Sequence, residues 1–196
     1  PGKDDLALAE RLLAQARDAQ APLPHIHWWQ RRLHAQGWPG MAIREAGAGA
    51  DACSRRRRAD WLAVAVRAGF VLCGDAAWAE LLPGAAVLPP VDYYGSLPAL
   101  YARSEAVLNV TSLLLPHSLN QRHFDVWAAG GILLSDPTPG LGLFPAELVR
   151  PIRLESPDEL PARLAALRRC PDERAALSAA WRRELHARHT YGHRLQ

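Results

Sequence analysis

From residue 53 onward, apolar residues alternate between helical spacing and short continuous runs. SRRRRADWLAVAVRAG carries them at helical spacing, and FVLC at 70–73 is a run of the kind that forms a buried strand. DAAWAELL then predicts a short helix and AAVL at 85–88 a strand; SLPALYARS predicts a helix and AVLNV at 106–110 a strand. A helix over 119–129 follows, then an apolar strand at 132–134 that Ser135-Asp136-Pro137 stops. A proline-rich turn, a strand around 151–154 and two helices over roughly 157–169 and 171–188 complete the pattern.

Ahead of this the pattern changes. Residues 3–37 read as helical, interrupted by the prolines at 22–24, and WPGMAIREAGAGADA at 38–52 reads as a Gly/Ala-rich loop or hinge. The expected organisation is a helical extension and loop over 1–52 and an α/β domain over 53–196. Alternating helices and short apolar strands predict a parallel sheet with helices on both faces, and ligands of such sheets sit outside the carboxyl ends of the strands.

Composition narrows the class. With 49% hydrophobic and 22% charged residues, the chain has the make-up of a folded globular protein. No apolar run approaches the length needed to cross a bilayer and no secretory signal opens the chain, so no transmembrane segment is expected and a cytoplasmic setting is the default. Cys53, Cys73 and Cys170 are too scattered for a disulfide framework or a zinc site. The net charge of +3 is carried mostly by arginine, which fits either polyphosphate or nucleic-acid contact or a genome that favours Arg, Ala, Leu and Gly. Arg55, Arg56, Arg57 and Arg58 point all round a helix and lack interleaved aromatics, so the expectation is a solvated helix start with one arginine turned inward to an anion, and no nucleic-acid partner. There is no P-loop, no G-x-G-x-x-G after a strand and no G-x-S-x-G elbow, and the histidines lack metal-ligand spacing; no cofactor or metal is expected.

The richest stretch is HSLNQRHFDVWAAGGILLSD, 117–136. A polar turn leads into a helix, Gly130-Gly131 breaks it, and a strand follows, which sets the positive end of a helix dipole beside strand ends. On the wheel Leu119, His123, Val126 and Trp127 form the apolar stripe, leaving Gln121, Arg122 and Asp125 free for a cleft or for solvent. Arg122 offers a planar, permanently charged fork to phosphate from the first turn, and Ser118 or Asn120 is placed to cap.

Residues 91–196 resemble the C-terminal, nucleotide-sugar-binding half of GT-B glycosyltransferases, in the "glycosyl transferases group 1" branch with the spore-maturation-type proteins. VDYYGSLPALYARSEAVLNV (91–110) resembles the family's strand, aromatic turn, L-P-x-L-Y helix and strand ending L-N. NQRHFDVWAAGGILLSD (120–136) resembles N-x-R-x-F-E-x-x-A-x-G-G-x-x-L-x-D, and RHTYGHRLQ (188–196) resembles the closing H-T-Y-x-H-R. FVLCGDAAW fits the same half-domain more loosely, and 1–52 matches no pattern of the family.

The resemblance implies a Rossmann-like half of a GT-B fold that binds a nucleotide diphosphate sugar and takes part in transfer of the sugar to an acceptor hydroxyl, in surface polysaccharide or glycoconjugate synthesis. It implies donor-binding roles for His117, Asn120, Arg122, Asp125, Gly130, Gly131, Tyr93, Tyr94 and Asp136, with Asp125 on the ribose hydroxyls and the tyrosines where the base lies. The wider family writes E-x7-E here; the spacing from Asp125 puts His117 in place of the first Glu, where an imidazole could meet a sugar hydroxyl or phosphate, or only solvent. No catalytic base is visible, so the acceptor and base are expected from a missing N-terminal half. The start at Pro1 and the end at Gln196 within a helical pattern are read as those of a fragment. The alternative is a non-catalytic interaction or regulatory module that keeps the fold.

Overall fold

The computed structural model describes residues 41–115 and 117–195, with Ala7, Arg11, Arg31 and His34 besides. The expectation of helices over 3–37, with His25, His27, Trp28 and Trp29, lies almost wholly outside the described residues.

The first long element corrects the loop expected at 38–52. Helix α1, Met41–Arg67, takes up residues 41–52 of that stretch, and 38–40 lie outside the described residues. Ala42, Ala46, Ala48, Ala50 and Ala52 are the strongest helix formers, and Gly47 and Gly49 oppose them by only about 1 kcal/mol each. Burial settles the balance, since Ala50 and Cys53 are packed away from water in this same half of α1. The helix ends at Gly69 (φ 96°), where the Gly69 and Phe70 N–H groups donate back to the Val66 and Ala65 carbonyls in a Schellman arrangement.

The strands fall where the apolar runs predict them, though shorter. They are β1, Leu72–Cys73; β2, Val87–Leu88; β3, Val107–Asn109; and β4, Leu133–Ser135. Between them lie α2, Trp78–Leu81, α3, Leu97–Arg103, and α4, Gln121–Ala128. Both pairs, β1 with β2 and β3 with β4, are parallel, the second in the register Val107↔Leu133, Leu108↔Leu134, Asn109↔Ser135. The strand expected around 151–154 is reduced to a single parallel bridge from Arg153 to Ser135. Beyond β4 come a 3-10 turn, Pro139–Leu143, then α5, Ala146–Val149, a second 3-10 turn, Pro157–Glu159, α6, Leu160–Arg169, α7, Pro171–Arg188, and α8, Tyr191–Arg194. This is a mixed α/β, Rossmann-like architecture.

Side-chain alternation along β4 separates two cores. Ile132 and Leu134 pack with Trp61 and Ala65 of α1 and with Leu160, Leu164 and Leu167 of α6. Leu133 faces the other way, onto Val126 and Trp127 of α4, Trp181 and Leu185 of α7, and Phe144. The Trp127 and Trp181 rings stack at 3.7 Å and 7°, holding α7 against α4. No described helix is long and apolar enough to cross a membrane.

Candidate functional site

Helix α4 has its N-terminus at the carboxyl ends of β3 and β4. Asn120 takes extended backbone angles (φ −96°, ψ 172°) and its N–H donates to Nδ1 of His123 at 3.3 Å, the reciprocal half of a capping box with histidine where Glu or Gln is usual. The same Nδ1 lies 3.0 Å from Asn120 Oδ1, and Nε2 lies 3.2 Å from Ser135 Oγ. The Ser135 hydroxyl in turn donates to the Asp136 carbonyl. His123 is fully buried, and burial pushes its pKa down to about 4, so it is neutral at neutral pH.

Asn109, the last residue of β3, gathers the N-terminus of α4. Its Oδ1 accepts from Asn120 Nδ2 at 2.8 Å and from Arg122 Nη1 at 3.2 Å, while its own buried Nδ2 has no partner among the described residues. Arg122 is thereby tethered at one guanidinium nitrogen and exposed elsewhere, beside the free N–H groups of the helix start.

Below this lies a buried ion pair. Arg57 Nη2 donates to Asp136 Oδ2 at 2.7 Å and Nη1 to the Thr111 carbonyl at 3.0 Å. Asp136 Oδ1 accepts from both the backbone N–H and the hydroxyl of Thr111, at 2.7 and 2.8 Å. The inward-turned arginine expected among residues 55–58 is thus Arg57, and its anion is a carboxylate of the protein; the run lies within α1 and is not its start. Asp136, expected at the donor, has no exposed surface and both oxygens occupied; it ties α1 to the ends of β3 and β4. One residue on, Arg58 is half-buried: burial lowers its pKa, Asp51 opposes that, and the like charges of Arg122 and Arg57 add to it. Three guanidinium groups, of Arg57, Arg58 and Arg122, thus gather at this edge with the carboxylates of Asp136 and Asp51.

One turn along α4, Asp125 Oδ2 accepts a 2.8 Å hydrogen bond from the Tyr93 hydroxyl, a bond that raises the phenol's pKa. Tyr94 stands edge-on to Tyr93, ring centres 4.9 Å apart, with 91% of its surface exposed. His117 is exposed in the loop before α4, where its carbonyl lies 3.1 Å from the point a Cβ on Gly140 would occupy.

Asn120 and Arg122 therefore meet at the N-terminus of α4, with Asp125 and Tyr93 one turn on. Gly130 and Gly131 do not join them. Gly130 (φ 81°) and Gly131 close the opposite end in a second Schellman arrangement, N–H to Trp127 and Val126 carbonyls, at the amino edge of β4. A Cβ on Gly131 would come within 2.7 Å of the Tyr101 carbonyl, so this pair serves the close packing of α3 on α4. Asn109 and Thr111 were not singled out from sequence as ligand-edge residues; the available signal was a polar residue ending an otherwise apolar strand, which needs buried partners.

An arginine at a helix start and a carboxylate one turn on, outside parallel strand ends, agree with one further finding: the model of the glycosyl transferase-like family matches residues 55–196. The chain belongs to the glycosyl transferase-like family. That match takes in the second half of α1, all four strands and the closing RHTYGHRLQ segment. Comparison with curated proteins and with solved structures returns no match. A glycosyl transferase-like domain implies a sugar donor in general, and Arg57, Arg58 and Arg122 gather at the carboxyl edge of β3 and β4.

Proposed function

We propose that this glycosyl transferase-like chain is the donor-binding half of a GT-B enzyme and holds a nucleotide diphosphate sugar at the carboxyl edge of β3 and β4. The observation that carries the reading is the spacing on α4, where Arg122, tethered to Asn109 at 3.2 Å, and Asp125, held by Tyr93 at 2.8 Å, lie one turn apart. Arg122 and the α4 N–H groups neutralise the diphosphate and the charge that builds on it as the glycosidic bond breaks. Asp125 accepts from the ribose hydroxyls: Tyr93 uses one lone pair of Oδ2 and leaves Oδ1 for the sugar. Exposed Tyr94 offers a face to the base. The acceptor and the catalytic base come from a second Rossmann-like half, without which this domain binds donor but does not turn it over.

Thermal melting with UDP, GDP, ADP, CMP and their sugar conjugates tests this. One nucleotide diphosphate should raise the melting temperature, since ligand at about 100 times its Kd stabilises by roughly 2.7 kcal/mol. Arg122→Ala should remove the shift, because hydrogen bonds to charged groups are worth about 1.5–3 kcal/mol. A flat response to every nucleotide at millimolar concentration overturns the donor-site reading and favours a non-catalytic module, for which His117 in place of the family's first Glu is the specific pointer.

A further inference from the structure

A concavity of about 1220 Å³ is at the other edge of the sheet. Its walls are the end of α3, the Gly130 turn and one face of α7. Residues four apart on a helix lie on one ridge, so Arg174, Ser178 and Arg182 form one line along α7 and Ala175, Ala179 and Arg183 the next. Arg103 faces them from the end of α3.

This charge is unbalanced. Arg103, Arg182 and Arg183 make no side-chain hydrogen bond or ion pair among the described residues, and all are exposed. Glu105, the acidic residue of the lining, is already bound at 2.7 Å by Arg168. Unpaired like charges around a concave, alanine-floored surface concentrate positive potential in the groove. From Arg174 to Ala187 the α7 wall spans about 20 Å, the reach of roughly six extended residues.

We propose that this groove docks an acidic segment of a partner protein, one that alternates carboxylate and aliphatic side chains. Charge complementarity calls for an anion, and the guanidinium forks suit carboxylates. The methyl floor adds a requirement for apolar groups, which polyphosphate lacks. Concavity disfavours a flat bilayer, and the lining has no aromatic ring on which a nucleic-acid base would stack. The site is separate from the donor edge and does not depend on nucleotide binding.

The test is fluorescence anisotropy of the full chain with a labelled peptide of alternating Glu and Leu, alongside its Gln-for-Glu counterpart. Competitors are short-chain polyphosphate and vesicles of phosphatidylcholine and phosphatidylserine in equal parts. The Glu peptide should bind and the Gln peptide should not. Reversal of Arg182 and Arg183 (R182E/R183E) should weaken binding by about tenfold or more, with R103E on the facing wall acting in the same direction. Both variants change exposed side chains, and unchanged melting temperatures will show that they are folded. Absence of Glu-peptide binding, equal binding by the reversed variants, or tighter binding of polyphosphate or vesicles at equal charge overturns the proposal.

Discussion

At the carboxyl edge of the sheet, Arg57 and Arg122 end on protein acceptors, the Asp136 carboxylate, the Thr111 carbonyl and Asn109 Oδ1. At the amino edge, Arg103, Arg182 and Arg183 end in solvent. The same residue type is structural machinery in one place and uncommitted charge in the other. A guanidinium that is buried and paired belongs to the fold, and its loss is felt as stability. A guanidinium whose fork is open contributes almost nothing to folding, and its loss is felt in binding. Arg122 lies between these limits, tethered by one nitrogen and open at the rest.

The sharpest way to break this contrast is Asp136→Ala. Removing one partner of a buried ion pair strands the Arg57 charge, so urea denaturation should show a loss of about 3–5 kcal/mol. A loss below 1 kcal/mol would mean that Arg57 finds water and that the two edges are not different in kind.

Acid titration comes next. His123 has a folded pKa of about 4 against 6.5 when unfolded, so the unfolded chain binds the extra proton between those values. Stability from this group is complete above pH 6.5 and falls as pH drops towards 4, by on the order of 3 kcal/mol in all. Denaturation midpoints measured across this range should slope for the native chain and flatten in His123→Gln.

Smaller again is Tyr93→Phe, which removes the hydroxyl on Asp125 and should weaken nucleotide binding by about three- to tenfold, the worth of one hydrogen bond. A 2′,3′-dideoxy nucleotide should be insensitive to the same change if Asp125 meets the ribose hydroxyls. The smallest effect belongs to the amino edge, where Arg182→Ala should leave stability within about 0.5 kcal/mol of the native chain.

Much of this was legible in the residues. Four of the five strands were, because a short apolar run bounded by Gly, Ser or Pro has few other uses, while the run at 151–154 forms only a bridge; of the stripe on the wheel, His123, Val126 and Trp127 are buried and Leu119 is half-buried. The Gly/Ala stretch was not, because Gly and Ala pull in opposite directions and only the burial of Ala50 and Cys53 decides between them. The ion pair was half legible: an inward arginine could be foreseen, but its partner is 79 residues away and local spacing carries no trace of it. The motif 120–136 misled in one respect. It is continuous in the chain, yet α4 carries its middle to the opposite edge of the sheet before β4 brings Asp136 back, so Gly130 and Gly131 share the motif with Arg122 without sharing its edge.

One consequence of α1 concerns how the protein can be divided. The family match opens at residue 55, two residues ahead of Arg57, whereas α1 begins at Met41, sixteen residues ahead of it. A chain trimmed to the matched region would place Arg57 in the first turn of a frayed helix, where backbone N–H groups have no carbonyls to meet and the helix dipole repels a cation. It would also discard Ala50 and Cys53, which are packed inside. The family match and this helix begin at different places in the molecule, and an excised domain should keep the upstream turns of that helix.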